Sequence, residues 1–493
     1  MLVFLYFYWV SKDAIINDQA LKIDRLEHEN KLLRAALYGK KTERFVADAG
    51  ADNQPALFEQ EAAEDQTTQD APTEKISYER KKKKHNGRNT IPENLPTREV
   101  IIEPDEDTTG MVKIGEEVSI TLEYTPASLV KVITRRPKYA LPQEKGVLIA
   151  LLPERPINKG IAEASLLAHI MVCKFVDHLP FYRQIQRFKR DYDWHLPSST
   201  INDWFVACCT LLEPLYRLMQ QQLLQSDYLQ ADESPIKVQD ADKVGSTHQG
   251  YQWVYRDPLS GIVIFQYRKG RGMQGPKEML ADYQGYLQTD GYKVYDKIGK
   301  KPGIHLVGCW AHARRKFYEA KDNNKSLAQQ ALNFFQAIYL EDRKAKEVEN
   351  EDQRKDYRQQ HILPLMLDLK KWAEETNNKT LPKSPIGKAI NYLLLQWPKL
   401  IAVLDDGRLE IDNNLIENKI RPLALGRKNY LFAGSHAGAG RIAMMYSFFA
   451  TCKANQVNPY QWLTSTLEKI PTTKMTELHQ LVPGYQFTEK NEV

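Results

Sequence analysis

Cysteine is scarce. Cys173, Cys208, Cys209, Cys309 and Cys452 are the five in 493 residues, and they show no paired spacing of a disulfide framework, which excludes a disulfide scaffold and points to a reducing, cytoplasmic compartment. Long apolar runs are missing too. The first ten residues, MLVFLYFYWV, lack a basic leader, a small-residue cleavage site and the roughly 20 apolar residues of a bilayer span. They are expected to be a mis-called start or a local packing segment, and no membrane partner is expected. Nor is there a strong charge of one sign: 68 Lys and Arg against 63 Asp and Glu leave a net +5, a mild excess that fits a nucleic-acid partner and many ordinary enzymes alike. The string GSHAGAGR at 434–441 has the glycines of a nucleotide loop without its Gly-Lys-Ser/Thr ending, which argues against ATP binding; its glycines are expected to let DNA approach the backbone closely.

What is present is organised along the chain. The length allows at least two cores. Ile16, Ile23, Asn30 and Leu37 repeat on one heptad seam and Leu26 and Leu33 on the other, predicting a coiled-coil dimerisation helix over 14–40 whose Asn30 sets register; an amphipathic helix packed on its own domain is the alternative. From Val46 to Glu74 there are eight carboxylates and no Lys or Arg, followed by ERKKKKHNGRN at 79–89. A flexible linker over 46–98 follows from that composition, its cluster Arg80–Lys84 either solvated or tracking phosphates. Alternating runs such as VSITLEYTP predict a small β-rich module over 99–155.

The stretch 160–225 reads as helical and DNA-binding. FYRQIQRFKRDY, the break DWHLP, and a second helix capped by Ser198 or Ser199 suit a helix-turn-helix, with Arg183 and Arg187 on the first helix and Ser199, Thr200, Asn202 and Asp203 offered to a groove by the second. A plain helical hairpin is the competing reading.

Carboxylates carry the chemistry. YLQADESPIKVQD reads as a strand delivering Asp232 at or near its polar end, YQWVYRD and GIVIFQYRK as two more strands, and GYLQTDGYKVY sets Asp290 before Gly291. A helix starting near Asn413 and ended by Pro422 would align Asn413, Asn414, Glu417 and Arg421 on one face. Taken singly, each acid has a bland reading: a cap, a turn residue, or a surface Glu417 paired with Arg421.

The strings DHLPFYRQIQ, LQADESP, LQTDGY, CWAHARRKF and DGRLEIDNNLIENKIRPLALGRKNYLFAGS resemble the insertion-sequence-sixty-six family of bacterial transposases, and the likeness runs through nearly the whole chain. It implies an α/β fold with a ribonuclease H-like catalytic core over 226–435, a helical insertion at about 325–404 and a helical C-terminal region over 436–493. It also implies a DDE triad of Asp232, Asp290 and Glu417, and end binding followed by strand cleavage and strand transfer. The chain departs from the family at 99–155, where the expected cysteines of a zinc module are absent, so no zinc is expected. Cys309 and His312 are a conceivable half-site, for which a packed helix is the simpler account. Carboxylates suit two Mg2+ or Mn2+ ions. DNA contacts are expected at His312, Arg314, Arg315 and Lys316 and at Asn413, Asn414, Arg421, Arg427 and Lys428, with Tyr430 and Phe432 stacking on a base. A homo-oligomer, accessory proteins of the same element and a place at the nucleoid complete the expectations. A transposase-derived regulator and a nuclease that cuts without joining are the rival classes.

Overall fold

The computed structural model describes residues 129–133, 138–140, 147–149, 154–158, 160–239 and 245–485. The chain divides into two units, Met1–Lys131 and Val132–Val493, and every described helix and strand belongs to the second. The coiled coil expected over 14–40, the linker over 46–98 and most of the module over 99–155 lie outside the described residues. Of that module, β1 (Lys138–Ala140) and β2 (Val147–Ile149) form an antiparallel pair with Tyr139 opposite Leu148.

Three helices follow: α1 (Ala164–Phe175), α2 (Phe181–Tyr192) and α3 (Ser198–Leu223). Helix α2 turns Phe181, Gln184 and Phe188 inward at three- and four-residue spacing and leaves Arg183, Arg187, Lys189 and Arg190 exposed. It stops at Asp193, whose φ of 49° is a left-handed conformation that Asp tolerates. The expected serine cap on α3 is not formed: Pro197 holds the cap position, with no side-chain hydrogen bond. Packing stands in for it. Ile201, Trp204, Phe205, Cys208, Leu212, Leu215 and Met219 bury one face along the helix, which outweighs a cap of about 1 kcal/mol.

The sheet is built next: β3 (Tyr228–Gln239), β4 (Thr247–Arg256) and β5 (Val263–Arg268), then α4 (Gln274–Met279), β6 (Gly285–Gln288), α5 (Lys293–Ile298), β7 (Ile304–Val307) and α6 (Trp310–Glu319). Its order is β5-β4-β3-β6-β7. Strands β3 to β5 are antiparallel, whereas β6 runs parallel to β3 and β7 parallel to β6. Four helices, α7 (Lys325–Lys346), α8 (Glu351–His361), α9 (Leu363–Asn377) and α10 (Pro385–Ile401), precede a short 3-10 turn, Ala402–Leu404. The inner faces of α7, α9 and α10 share one core with the sheet and α6 through Tyr228, Val307, Trp310, Phe317, Phe335 and Trp397, while α8 buries Arg358. The chain closes with α11 (Asn414–Tyr430), α12 (His436–Ala454), α13 (Pro459–Lys469) and a 3-10 segment, Met475–Leu481.

Helix α12 covers the sheet's outer edge. The N–H groups of Val263 and Phe265, which among the described residues have no strand to bond beyond β5, donate to Thr451 Oγ1 at 3.0 Å and Ser447 Oγ at 2.8 Å. An edge that would otherwise template pairing with another chain is thereby satisfied internally. Of the glycines in GSHAGAGR, Gly434 lies in the bend before α12, whereas Gly438 and Gly440 belong to its opening residues, capped by Ser435 Oγ on the N–H of Gly438 at 3.0 Å. Among the described residues no helix is long and apolar enough to cross a membrane.

Candidate active site

Strand register brings two acids together. Gln230 pairs with Gln288 in the parallel β3–β6 ladder, which ends there. Asp232 and Asp290 each lie two residues further on, beyond the carboxyl end of β6, where an α/β sheet opens a crevice. Asp232 is thus not at the end of its strand: β3 continues to Gln239 against β4, and its β6 side is open at Asp232 until Val238 bridges Ala433. Past Asp290 the chain turns at Gly291 with φ +88°, and a Cβ there would meet Tyr392 Oη at 2.8 Å. Glycine is therefore required. The turn is held by the N–H of Tyr292 on Asp290 Oδ1 (2.9 Å) and by Tyr392 Oη on the Asp290 carbonyl (2.9 Å).

Glu417 arrives from α11, a helix that packs across β3 and β4. Pro422 does not end this helix; it lies inside it. The lost N–H and ring clash of an internal proline cost ~3 kcal/mol, and the burial of Ile416, Ile420, Leu423 and Gly426 along the same face offsets them. Glu417 is not an exposed surface residue: its side chain is 15% exposed, with His312 Nε2 3.8 Å from its Oε1, and the charges of Arg315 and Arg421 both act on it.

The acids act on one another. Burial, then the charges of Asp290, Glu233 and Glu417, push the Asp232 carboxyl well above its ordinary range. Burial raises Glu417 as well; Arg315 opposes the shift, while Asp412 and Asp290 add to it. Such mutual repulsion is what a bound cation relieves. As placed, no three His, Cys, Asp or Glu side chains among the described residues are close enough to form a metal-binding group.

A buried hydrogen-bond network supports the crevice. Tyr228 Oη and Gln230 Nε2 both donate to Gln288 Oε1 (2.7 and 2.8 Å), Arg256 donates to Gln230 Oε1 (2.9 Å), and Gln288 Nε2 donates to the Glu410 carbonyl (2.6 Å). The loop that feeds α11 is thereby tied to both acid-bearing strands. Helices α7 and α8 grip it from the other side: Tyr339 Oη donates to Asp412 (3.0 Å), Lys346 pairs with Glu410 (2.6 Å), and Arg358 donates to the Leu409 carbonyl (2.7 Å) while pairing with buried Asp342 (2.8 Å).

The expected DNA donors divide. Arg183, Arg187, Ser199, Asn202, Arg314, Lys316, Asn414, Arg421 and Lys428 are exposed, and Thr200, His312 and Arg315 are half-buried. Asn413 is fully buried, with neither amide atom hydrogen-bonded, so its placement does not suit a DNA contact. Arg427 is spent on β3, donating to Ser234 Oγ (2.9 Å) and to the Pro235 carbonyl. Tyr430 points its hydroxyl into the interior, leaving Phe432, 43% exposed, as the aromatic open to a base. Cys309 is buried and accepts from the Asn413 N–H at 3.5 Å.

Sequence reasoning passed over Glu233, Arg271 and Tyr292. Alternation along an unbroken strand sends Asp232 and Glu233 to opposite faces, which hid that both feel Asp290. Arg271 lies in a glycine-flanked loop without any pattern of its own.

Residues 159–441 match the family described as Transposase IS66 family, 447–483 the IS66 C-terminal element, and 25–100 the Transposase C of IS166 homeodomain. The chain is 32% identical over 476 residues to an uncharacterized protein, y4qI, of Sinorhizobium fredii, covering 92% of this chain and 87% of that one. It is 32% identical over 415 residues to a second, y4jD, of the same organism, covering 80% and 81%.

Proposed function

The chain belongs to the IS66 transposase family, and from that premise we propose that it binds the ends of its mobile element and cuts and joins DNA strands with Asp232, Asp290 and Glu417 as a DDE triad. The observation that carries this reading is the crevice itself: strand register sets Asp232 beside Asp290, and the Asp290 charge raises the proton affinity of both Asp232 and, on α11, Glu417. Support for a ribonuclease H-like core comes from the strand order, an antiparallel meander with two parallel strands added on the β3 side.

The donor set is all oxygen and suits Mg2+ or Mn2+ in preference to zinc. The acids do not form a closed metal cage by themselves; ions of this kind keep several waters and take substrate phosphate oxygens, so the carboxylates would supply only part of their coordination. Bound by these carboxylates, two such ions would supply activation of the attacking oxygen and stabilisation of the leaving one. The protein's own part is positional. The network under β3 and β6 fixes the separation of the two aspartates, and the grip of α7 and α8 on residues 409–412 fixes where α11 begins. Arg315 and Arg421, close enough to act on Glu417, together with exposed Arg314, Lys316 and Lys428, would hold the phosphate backbone. Exposed Arg183 and Arg187 on α2, with Ser199, Thr200 and Asn202 at the start of α3, would read the element end, and Phe432 would stack on a base. A homo-oligomer through Ile16–Leu37, and accessory proteins of the element, belong to the same proposal.

A strand-transfer assay with magnesium and labelled element ends tests it. Joined products are expected. Cutting without joining would make the protein a nuclease, and binding without cutting a regulator.

A further inference from the structure

We propose that Arg271 is a DNA-phosphate contact on the rim of the carboxylate crevice, held there by Glu233 and Tyr292; the inference rests on the transposase reading and extends it to residues outside the triad. The loop that carries Arg271 runs from the end of β5 to α4. Its residues 269–272 are exposed. Arg271 directs Nε and Nη2 to a single oxygen of Glu233, with Nε at 2.7 Å, and lays its guanidinium 4.2 Å from the centre of the Tyr292 ring. Tyr292 answers with its hydroxyl on the Arg271 carbonyl at 3.1 Å, while its own N–H is on Asp290. One tyrosine therefore ties the arginine's backbone and face to the turn that presents Asp290.

A salt bridge that only fastened the loop would look different. A guanidinium has five N–H donors; two go to Glu233, and among the described residues no other acceptor takes a hydrogen bond from Arg271. Its side chain is 46% exposed while that of Glu233 is 3% exposed. The cation faces outward and the acid is sunk beneath it, its second oxygen without a partner. The flanking glycines are not demanded by packing: a Cβ on Gly270 would meet only the Gly272 nitrogen at 3.9 Å, and one on Gly272 would meet nothing. They leave the space on both sides of Arg271 clear, as close approach of a bulky chain requires.

Electrostatics gives the need. Asp232, Glu233, Asp290 and Glu417 would repel a phosphodiester, and Arg315 and Arg421 answer on the Glu417 side. Arg271, acted on by Glu233 and Asp290, is the cation of the other side. Its planar fork suits bidentate phosphate recognition. Glu233 is then a positioning residue and not a fourth metal ligand.

The full-length protein and the terminal duplex of the element that carries this gene provide the test, with binding read by anisotropy in EDTA at several salt concentrations. Arg271→Ala should weaken binding at least roughly ten-fold, as for a charge-assisted hydrogen bond, and lower the slope of log affinity against log salt by about 0.9, one released counterion. Arg271→Lys should restore the slope. On duplexes scanned with single neutral methylphosphonates, the Arg271→Ala loss should vanish at one position near the cut. An unchanged slope, or the same loss at every position, would overturn the assignment; Arg271→Gln serves if the alanine variant melts early. A parent protein that binds with this Arg271-dependent slope yet makes no cut in magnesium would leave the contact standing and sink the cleavage chemistry instead.

Discussion

Two stretches of one strand, Tyr228–Gln230 and Asp232–Glu233, lie a single residue apart and treat polar groups in opposite ways. In the first, Tyr228, Gln230 and Gln288 are fully buried and donate and accept among themselves, Arg256 and the Glu410 backbone. In the second, carboxylates stand against carboxylates, and Glu233 keeps one buried oxygen without a partner. A satisfied buried network rigidifies; an unsatisfied one stores a demand for a cation. The strand thus anchors the site with one end and exposes its cost with the next two residues.

The largest expected effect breaks the second stretch. Asp232→Ala, Asp290→Ala or Glu417→Ala should each reduce strand cleavage by more than the ~10–100-fold that loss of a metal's outer-shell partner costs, with affinity for element ends not weakened. A Glu417→Ala protein that folds and cuts at the parental rate would sink its place in the triad. Next comes the buttress that keeps the first stretch in register with α11. Arg358→Ala leaves buried Asp342 with only the longer pair to Lys346 at 3.8 Å, so chemical denaturation should show a loss approaching about 3–5 kcal/mol; a loss under about 1 kcal/mol would mean the pair is effectively solvated.

A smaller effect is expected inside the buried network. Tyr228→Phe removes a donor to Gln288 and an acceptor of the Glu410 N–H, which should cost about 1–3 kcal/mol and reduce cleavage less than any triad change. The smallest concerns pH in the metal-free protein. Because the Asp232 carboxyl is raised in the folded state, its contribution is fully present below the ordinary value of 3.8 and is lost as pH rises from there through the folded value. In EDTA the parent should therefore lose thermal stability relative to Asp232→Asn as pH climbs above that value. Parallel melting curves for the two proteins at all pH values would show that the crevice carries no such repulsion.

Much of the site was legible as strings and little of it as geometry. The motifs around Asp232, Asp290 and Glu417 stood out because their residues are contiguous. The run FYRQIQRFKRDY displayed its amphipathic period openly, and α2 follows it. Pro422 misled because the rule for proline is local, whereas α11 is held by what its buried face touches in β3 and β4. Asn413 and Arg427 looked like DNA ligands for the same reason: nothing in their neighbours along the chain says that one is enclosed and the other is donating to Ser234 across 193 positions.

The sequence by itself determined which chemistry the chain has to work with: three oxygen-donor acids in recognisable strings, a supply of arginines, and a family whose name those strings carry. It also determined the short-range periods, since side-chain direction repeats every 2 residues in a strand and every 3.6 in a helix. Only the tertiary structure decided that Asp232 and Asp290 sit level with each other, because that follows from the pairing of Gln230 with Gln288 across 58 positions. It alone sank Glu233 beneath Arg271. Register, burial and the field at a carboxylate depend on residues distant in the chain and near in space, and a reading along the chain has no access to those distances.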